Sequence, residues 1–375
     1  MIHSILFTGD FCPNFNDLDK NSFSDIENII TNNELLVCNL ECAAYHNNQK
    51  AIIKEGPSLC CQNDQLDYIT KYCPTLFTLA NNHTLDFGEQ GLINILSYCN
   101  KKKYNYVGAG INLKEASKPY IYEKESYKIA FINCCEHEFS IAQKDSSGAN
   151  PMDVIKIYNQ IQEVKNISNF IIIVAHGGHE YYQLPSPRLQ DTYRFFIDSG
   201  ANAVIGHHPH CISGMENYKN GIIYYSLGNF YFNNRTSQIS KWNEGMLLEL
   251  KIDSKTNKIL SHTPIPFIQC HNNNKIITLR DNEFIEFNKS FYSLSTIIKD
   301  RDLLENYYTQ YLLSQEKKAI SRILPYTNKY LIALYKRGLL PSFMKKNNYA
   351  TRLNALQCES HRDILQYILH KKINE

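Results

Sequence analysis

The chain has 375 residues, 43% hydrophobic and 20% charged, with a formal net charge of +2. That length can bury a full core and suggests one large domain with an appendage, or two domains. The near-neutral balance gives no global field for nucleic acid, and twelve cysteines without CxxC spacing read as reduced thiols.

The opening Met1-Ile-His-Ser-Ile-Leu-Phe-Thr-Gly-Asp10 shows no basic leader region and no long apolar run, and goes straight into a strand over 2–8. Further apolar runs, from Leu35 to Cys38, Leu76 to Ala80, Phe170 to Ala175 and Ala203 to Ile205, also read as buried strands. Each strand stops at a polar signature. These are Gly9-Asp10, Asn39-Leu-Glu41, Asn81-Asn-His-Thr-Leu-Asp86, His176-Gly-Gly-His-Glu-Tyr181 and Gly206-His-His-Pro-His210. More strands are expected over 128–133, 222–226 and 245–252, the last two antiparallel. Helical spacing over 89–101 puts Leu92, Leu96 and Cys99 on one face. Over 187–199 it does the same for Leu189, Tyr193, Phe196 and Ile197, with Gly200 as the stop. Buried strands alternating with amphipathic helices predict an α/β layered fold with a mixed sheet, whose sites gather beyond the carboxyl ends of the strands.

After about residue 285 the strand patterns end, and helices are expected near 293–313, 314–336 and 360–372. The predicted division is a domain over 1–280 and a helical basic extension over 281–375. Residues 317–358 carry nine Lys/Arg and no Asp/Glu, leaving 30 basic against 37 acidic residues elsewhere. Such a stretch suits peripheral contact with an anionic membrane surface, or a solvated helix face on the core. No run of about 18 apolar residues occurs, and the expected location is cytoplasmic.

The strand ends collect Asp10, Asn39, Glu41, Asn82, His83, Asp86, His176, His207, His208 and His210. Carboxylates, an amide oxygen and imidazoles make a mixed oxygen and nitrogen donor set large enough for two divalent ions. A carboxylate between the ions would bridge them. Manganese, zinc and iron are not distinguished by these donors. His-x-His spacing favours His208 and His210 as ligands, with His207 a neighbour; Cys12 is either a thiolate ligand or a spectator. His179 and Glu180 are candidate substrate contacts, as is Asn229 after Ser226-Leu-Gly, though each also fits a surface or turn role. His137 is either pocket-lining or structural. There is no phosphate loop of the GxxxxGK type, which argues against a nucleotide-driven ligase.

The strings Thr8-Gly-Asp10, Cys38-Asn-Leu-Glu41, Leu79-Ala-Asn-Asn-His-Thr-Leu-Asp-Phe-Gly88, Gly108-Ala-Gly110, His176-Gly-Gly-His-Glu-Tyr181, Gly206-His-His-Pro-His210 and Tyr225-Ser-Leu-Gly-Asn-Phe230 resemble the capsule-synthesis CapA (PGA_cap) family over about residues 2–255. The domain of that family belongs with the calcineurin-like metallophosphoesterases. The resemblance implies a four-layer sandwich, two mixed sheets flanked by helices, with a metal site at one end. It implies metal ligation by Asp10, Glu41 (as bridge), Asn82, His176, His208 and His210. His83 would protonate the leaving oxygen or hold the phosphate, with Asp86 orienting it. Two departures stand out. Cys12 takes the place of the superfamily's first histidine, and Gly177 that of the family's usual tryptophan, which is expected to open the site mouth.

The expected function is a metal-dependent phosphoesterase-type enzyme in capsule or cell-surface polymer biosynthesis, activating water or a polymer end at a dinuclear site. Its partner would be a phosphoester or an anionic polymer, poly-γ-glutamate being the polymer for which the family is named. The alternative is a non-catalytic polymer-handling or assembly factor with a structural or vestigial metal site. A third reading is a cytosolic phosphoesterase unrelated to polymers.

Overall fold

A computed structural model describes residues 1–13, 18–19, 21–44, 49–54, 56–232, 240–270, 274–315, 326–345, 348–349, 352, 356 and 373–374. The chain divides into two compact units, Met1–Leu304 and Glu305–Glu375.

The first unit is built on two sheets. The larger runs in the order Ile276–Thr278, Lys258–Gln269, Glu244–Asp253, Ile2–Cys12, Leu35–Leu40, Thr75–Thr78, Asn105–Val107, with Asn229–Phe232 added beside the end of Ile2–Cys12. The smaller runs Met215–Tyr218, Gly221–Tyr224, Ala203–His207, Phe170–His176, Tyr127–Cys135, Tyr120–Lys124. Both are mixed. In the larger, Ile2–Cys12 is parallel to Leu35–Leu40 and antiparallel to Glu244–Asp253. The expectation that 222–226 runs antiparallel is corrected in part. Gly221–Tyr224 lies parallel to Ala203–His207 and antiparallel only to Met215–Tyr218.

Side chains alternate across a strand, so one apolar run can serve two cores. Ile5 and Phe7 join Val37, Leu76, Phe131, Ile172, Val174 and Ile205 in a core between the sheets. Leu6, on the opposite face, packs with Leu36, Phe77, Leu92 and Ile95 beneath the helix Gly88–Lys102. On the far side Ile171, Ile173 and Val204 pack under the helices Val154–Lys165 and Pro187–Ser199. The result is helix, sheet, sheet, helix. The second of these helices starts at Ser186, whose hydroxyl accepts from the Leu189 N–H at 3.1 Å, and stops at Gly200 with φ 124°.

Beyond the sheets, a helix spans Asp281–Lys299, earlier than the spacing suggested. It ends at Asp300, whose ψ of 106° breaks it from Arg301–Ser314. The first compact unit therefore includes Asp281–Lys299, where Ser295 Oγ accepts from the Met215 N–H at 3.0 Å. In the second unit, Lys329–Lys336 is helical. The expected helix over 360–372 lies outside the described residues, as do 316–325 and much of the stretch past 345. Among the described residues no helix is long and apolar enough to cross a membrane.

Candidate metal centre

The parallel strands Ile2–Cys12, Leu35–Leu40, Thr75–Thr78, Phe170–His176 and Ala203–His207 bring their polar signatures to one end of the two sheets. Gly9 allows the first to arrive. A Cβ there would stand 1.9 Å from the Gly228 carbonyl oxygen, which accepts the Asp10 N–H at 3.0 Å. His208 and His210 leave the Ala203–His207 strand with φ of 99° and 54°, left-handed conformations that cost energy outside glycine and gather at functional sites.

At the centre is Glu41, fully buried, with neither carboxylate oxygen hydrogen-bonded. Its Oε1 lies 3.6 Å from His176 Nε2, 3.6 Å from His210 Nε2 and 3.8 Å from His83 Nε2. Two donor groups share it: Glu41, His176 and His208; and Asp10, Glu41 and His210. Asn82 joins the first, its Oδ1 3.0 Å from His176 Nε2, which is itself 3.1 Å from His208 Nδ1. In the second, His210 Nδ1 lies 3.4 Å from Asp10 Oδ2 and 3.0 Å from Asn229 Oδ1. A proton on Nδ1 donated to Asn229 leaves the Nε2 lone pair facing Glu41.

A buried carboxylate without partners is costly unless a cation compensates it. Burial, with the charges of Asp10 and Glu180, pushes the Glu41 carboxyl well above its usual range. Burial pushes the imidazoles the other way. His176 falls well below its ordinary value, helped by neighbouring His208, and His208 drops to about 4, helped by His210. Burial would raise Asp10, but its hydrogen bond to His210 and the neighbouring His207 hold it low. Neutral imidazoles beside an ionised Asp10 are ready ligands, and a divalent ion would displace the proton that burial favours on Glu41. The residues of either donor group fit such an ion.

Asn39 donates to Asp10 Oδ1 at 2.8 Å and accepts from Thr78 Oγ1 at 3.2 Å, so its amide faces the carboxylate it orients. His207 turns toward the neighbouring sheet, its Nε2 2.9 Å from the Thr8 carbonyl oxygen. His207→Ala is expected to cost about 1–3 kcal/mol of stability while leaving metal stoichiometry intact, checked by urea unfolding beside metal analysis. Cys12 is buried in the core with its thiol against Cys42 and belongs to neither donor group. His83 presents Nδ1 to Asp86 Oδ2 at 2.6 Å. Asn229 is fully buried and donates its amide to the Trp242 carbonyl at 3.0 Å.

A cleft of about 340 Å3 lined by Glu136, His137, Glu138, Met152 and Arg188 adjoins a narrower pocket bounded by Asn82, Glu136, Glu138, His176, Gly177 and His208. The space beside Gly177 is filled rather than opened, since a Cβ there would meet Glu136 Cγ at 2.6 Å and Met152 Cε at 2.9 Å. Glu180 is exposed and its charge is felt at Glu41 and His208; His179 is half-buried, and its burial lowers its pKa.

Sequence reasoning missed two residues. Glu138 approaches His208 Nε2 at 4.0 Å, and only its neighbour His137 had drawn notice. Lys54 places Nζ 2.6 Å from Asp86 Oδ1 and 3.0 Å from His83 Nδ1. Nothing in the spacing around Lys54 signals this.

A family model described as bacterial capsule synthesis protein PGA_cap matches residues 4–234. The PGA biosynthesis protein CapA of Bacillus subtilis is 34% identical over 162 residues, 42% of this chain and 42% of that protein. The capsule biosynthesis protein CapA of Bacillus anthracis is 32% identical over 164 residues, 42% of this chain and 40% of that one. The matches thus span about two fifths of these relatives' length. A phosphatase from Mycoplasma pneumoniae superposes with a TM-score of 0.45 at 14% identity, covering 72% of this chain and 95% of that one.

Proposed function

This chain belongs to the bacterial capsule synthesis protein PGA_cap family, and from that membership we propose that it is a metal-dependent phosphoesterase acting in capsule or cell-surface polymer biosynthesis. The observation that carries the reading is Glu41, buried, without a hydrogen bond and shared by two donor groups. Asp10, His210 and Glu41 would hold one divalent ion; Glu41, Asn82, His176 and His208 the other. Bound there, such ions would supply Lewis-acid polarisation of a phosphoryl oxygen and activation of water at neutral pH.

The chain's own residues do the rest. His83, with Nδ1 tied to Asp86, directs Nε2 at the centre and holds a proton for the departing oxygen. Asn39 and Asn229 fix Asp10 and His210. Glu136 and Glu138 line the mouth, with Arg188 paired to Glu136. The group we assign to the cleft is a single phosphoester. His179 and Glu180 are the surface contacts proposed for it.

Purified chain loaded with manganese is expected to bind two equivalents and to hydrolyse an aryl phosphodiester. Two bound metals without turnover, on this and on phosphomonoesters, would leave the assembly-factor role instead.

We also propose a cytoplasmic protein with peripheral contact through 317–358. In its described part Tyr330, Leu331, Leu339 and Phe343 are exposed among Lys329, Lys336, Arg337 and Lys345. Full-length chain should sediment with phosphatidylserine vesicles at low salt and be released as salt screens the attraction. Binding unchanged by salt and lipid charge would reject the contact.

A further inference from the structure

Lys54 has no place in the chemistry described so far, yet its ammonium lies 3.0 Å from His83 Nδ1. It comes from a stretch without regular secondary structure that is fastened around Asp86. The Ile52 N–H donates to the Asp86 carbonyl at 2.9 Å, and the Leu59 N–H donates to Asp86 Oδ2 at 2.6 Å. The lysine side chain is 2% exposed and Asp86 not at all. Lysine is rarely buried unless paired, and here Nζ sits 2.6 Å from Asp86 Oδ1 and 3.0 Å from His83 Nδ1.

A carboxylate offers two oxygens, and a neighbouring imidazole can use either. With Lys54 on Oδ1, only Oδ2 is left for His83, and Oδ2 is pinned from the other side by the Leu59 N–H. The ring then has one acceptor for Nδ1, at 2.6 Å, and Nε2 is directed toward Glu41 Oε1 at 3.8 Å. The lysine also balances the charge of Asp86.

We propose that Lys54 is a positioning residue for His83, acting through Asp86 to fix the imidazole with Nε2 toward the metal centre. The proposal rests on the phosphoesterase reading for its kinetic consequence, and on the structure alone for the ring it holds.

The test compares Lys54→Met, Lys54→Arg, Asp86→Asn and the double variant Lys54→Met/Asp86→Asn in the full chain. Metal-loaded protein is assayed on an aryl phosphodiester, and the 15N resonances of the His83 ring are recorded in metal-free protein. Lys54→Met should lower kcat about 10–100-fold, as loss of such supporting partners does elsewhere, with KM and metal content nearly unchanged. Lys54→Arg should recover most of the loss. Adding Lys54→Met to Asp86→Asn should cost little more, because both act on one ring. The His83 Nδ1 resonance should move in Lys54→Met and return in Lys54→Arg.

A rise in KM with kcat intact would make Lys54 a substrate contact and overturn the proposal, as would unchanged His83 resonances. If Lys54→Met fails to fold, because it leaves Asp86 buried and unpaired, the double variant against Asp86→Asn decides by the same additivity. A wild-type chain that binds metal without turnover rejects the phosphoesterase reading, and the His83 resonances alone then judge Lys54.

Discussion

Glu41→Gln is expected to abolish binding of the second metal equivalent and to lower phosphodiester turnover by about 10³-fold or more, the scale of losing a principal electrostatic element of a site. Both donor groups contain Glu41, so its replacement removes the shared ligand from each, whereas losing His208 or Asp10 touches only one. Calorimetric titration with manganese beside turnover would show it. Two equivalents retained with normal affinity would remove Glu41 from the centre.

The same substitution carries a second expectation of opposite sign. In the metal-free protein, burial and the charge of Asp10 raise the Glu41 carboxyl well above its unfolded value. The folded state therefore binds this proton more tightly than the unfolded chain does. Its contribution favours folding at low pH and is lost as pH rises from the unfolded value through the folded one. At neutral pH metal-free Glu41→Gln, which carries no such charge, should melt higher than metal-free wild type. Wild type alone should gain strongly in Tm on adding metal. Equal melting temperatures with and without metal in both proteins would contradict this.

His83→Ala is expected to cost about 10²–10⁴ in kcat, the range for a positioned proton donor, with two metal equivalents retained. The ring stands 3.8 Å from Glu41 yet belongs to neither donor group, and its far nitrogen is committed to Asp86. Leaving groups supply the sharper measurement. A nitrophenol departs without a proton and should be affected little, whereas an alkyl alcohol needs one and should show the full loss. An equal loss on both would point to phosphate binding by His83 rather than proton delivery.

Much of this was written in the chain. Five apolar runs ending in Asp10, Glu41, the Asn82–Asp86 string, His176 and the His207–His210 string mark strands whose polar ends meet, because parallel strands deliver their carboxyl ends to one edge. In the structure the pleat of 2–8 sends Phe7 to one core and Leu6 to another. Family membership followed from the same strings.

Local sequence did not determine which atoms converge. The His-x-His spacing favours His208 and His210 but not their geometry: left-handed turns at 208 and 210 send those rings toward Glu41, while His207 goes to the Thr8 carbonyl. Cys12, two residues from Asp10, would share its face in a regular strand, but the register shifts between Asp10 and Phe11 and the thiol lies against Cys42. Lys54 and Glu138 come from segments with no periodic pattern, brought in by backbone hydrogen bonds such as Ile52 to Asp86 and by the Tyr127–Cys135 strand ahead of Glu138. Strand positions and side-chain type are short-range properties that the sequence determines by itself. The meeting of Lys54, Asp86 and His83 depends on how separate loops close over one sheet edge, and only the tertiary structure decided it.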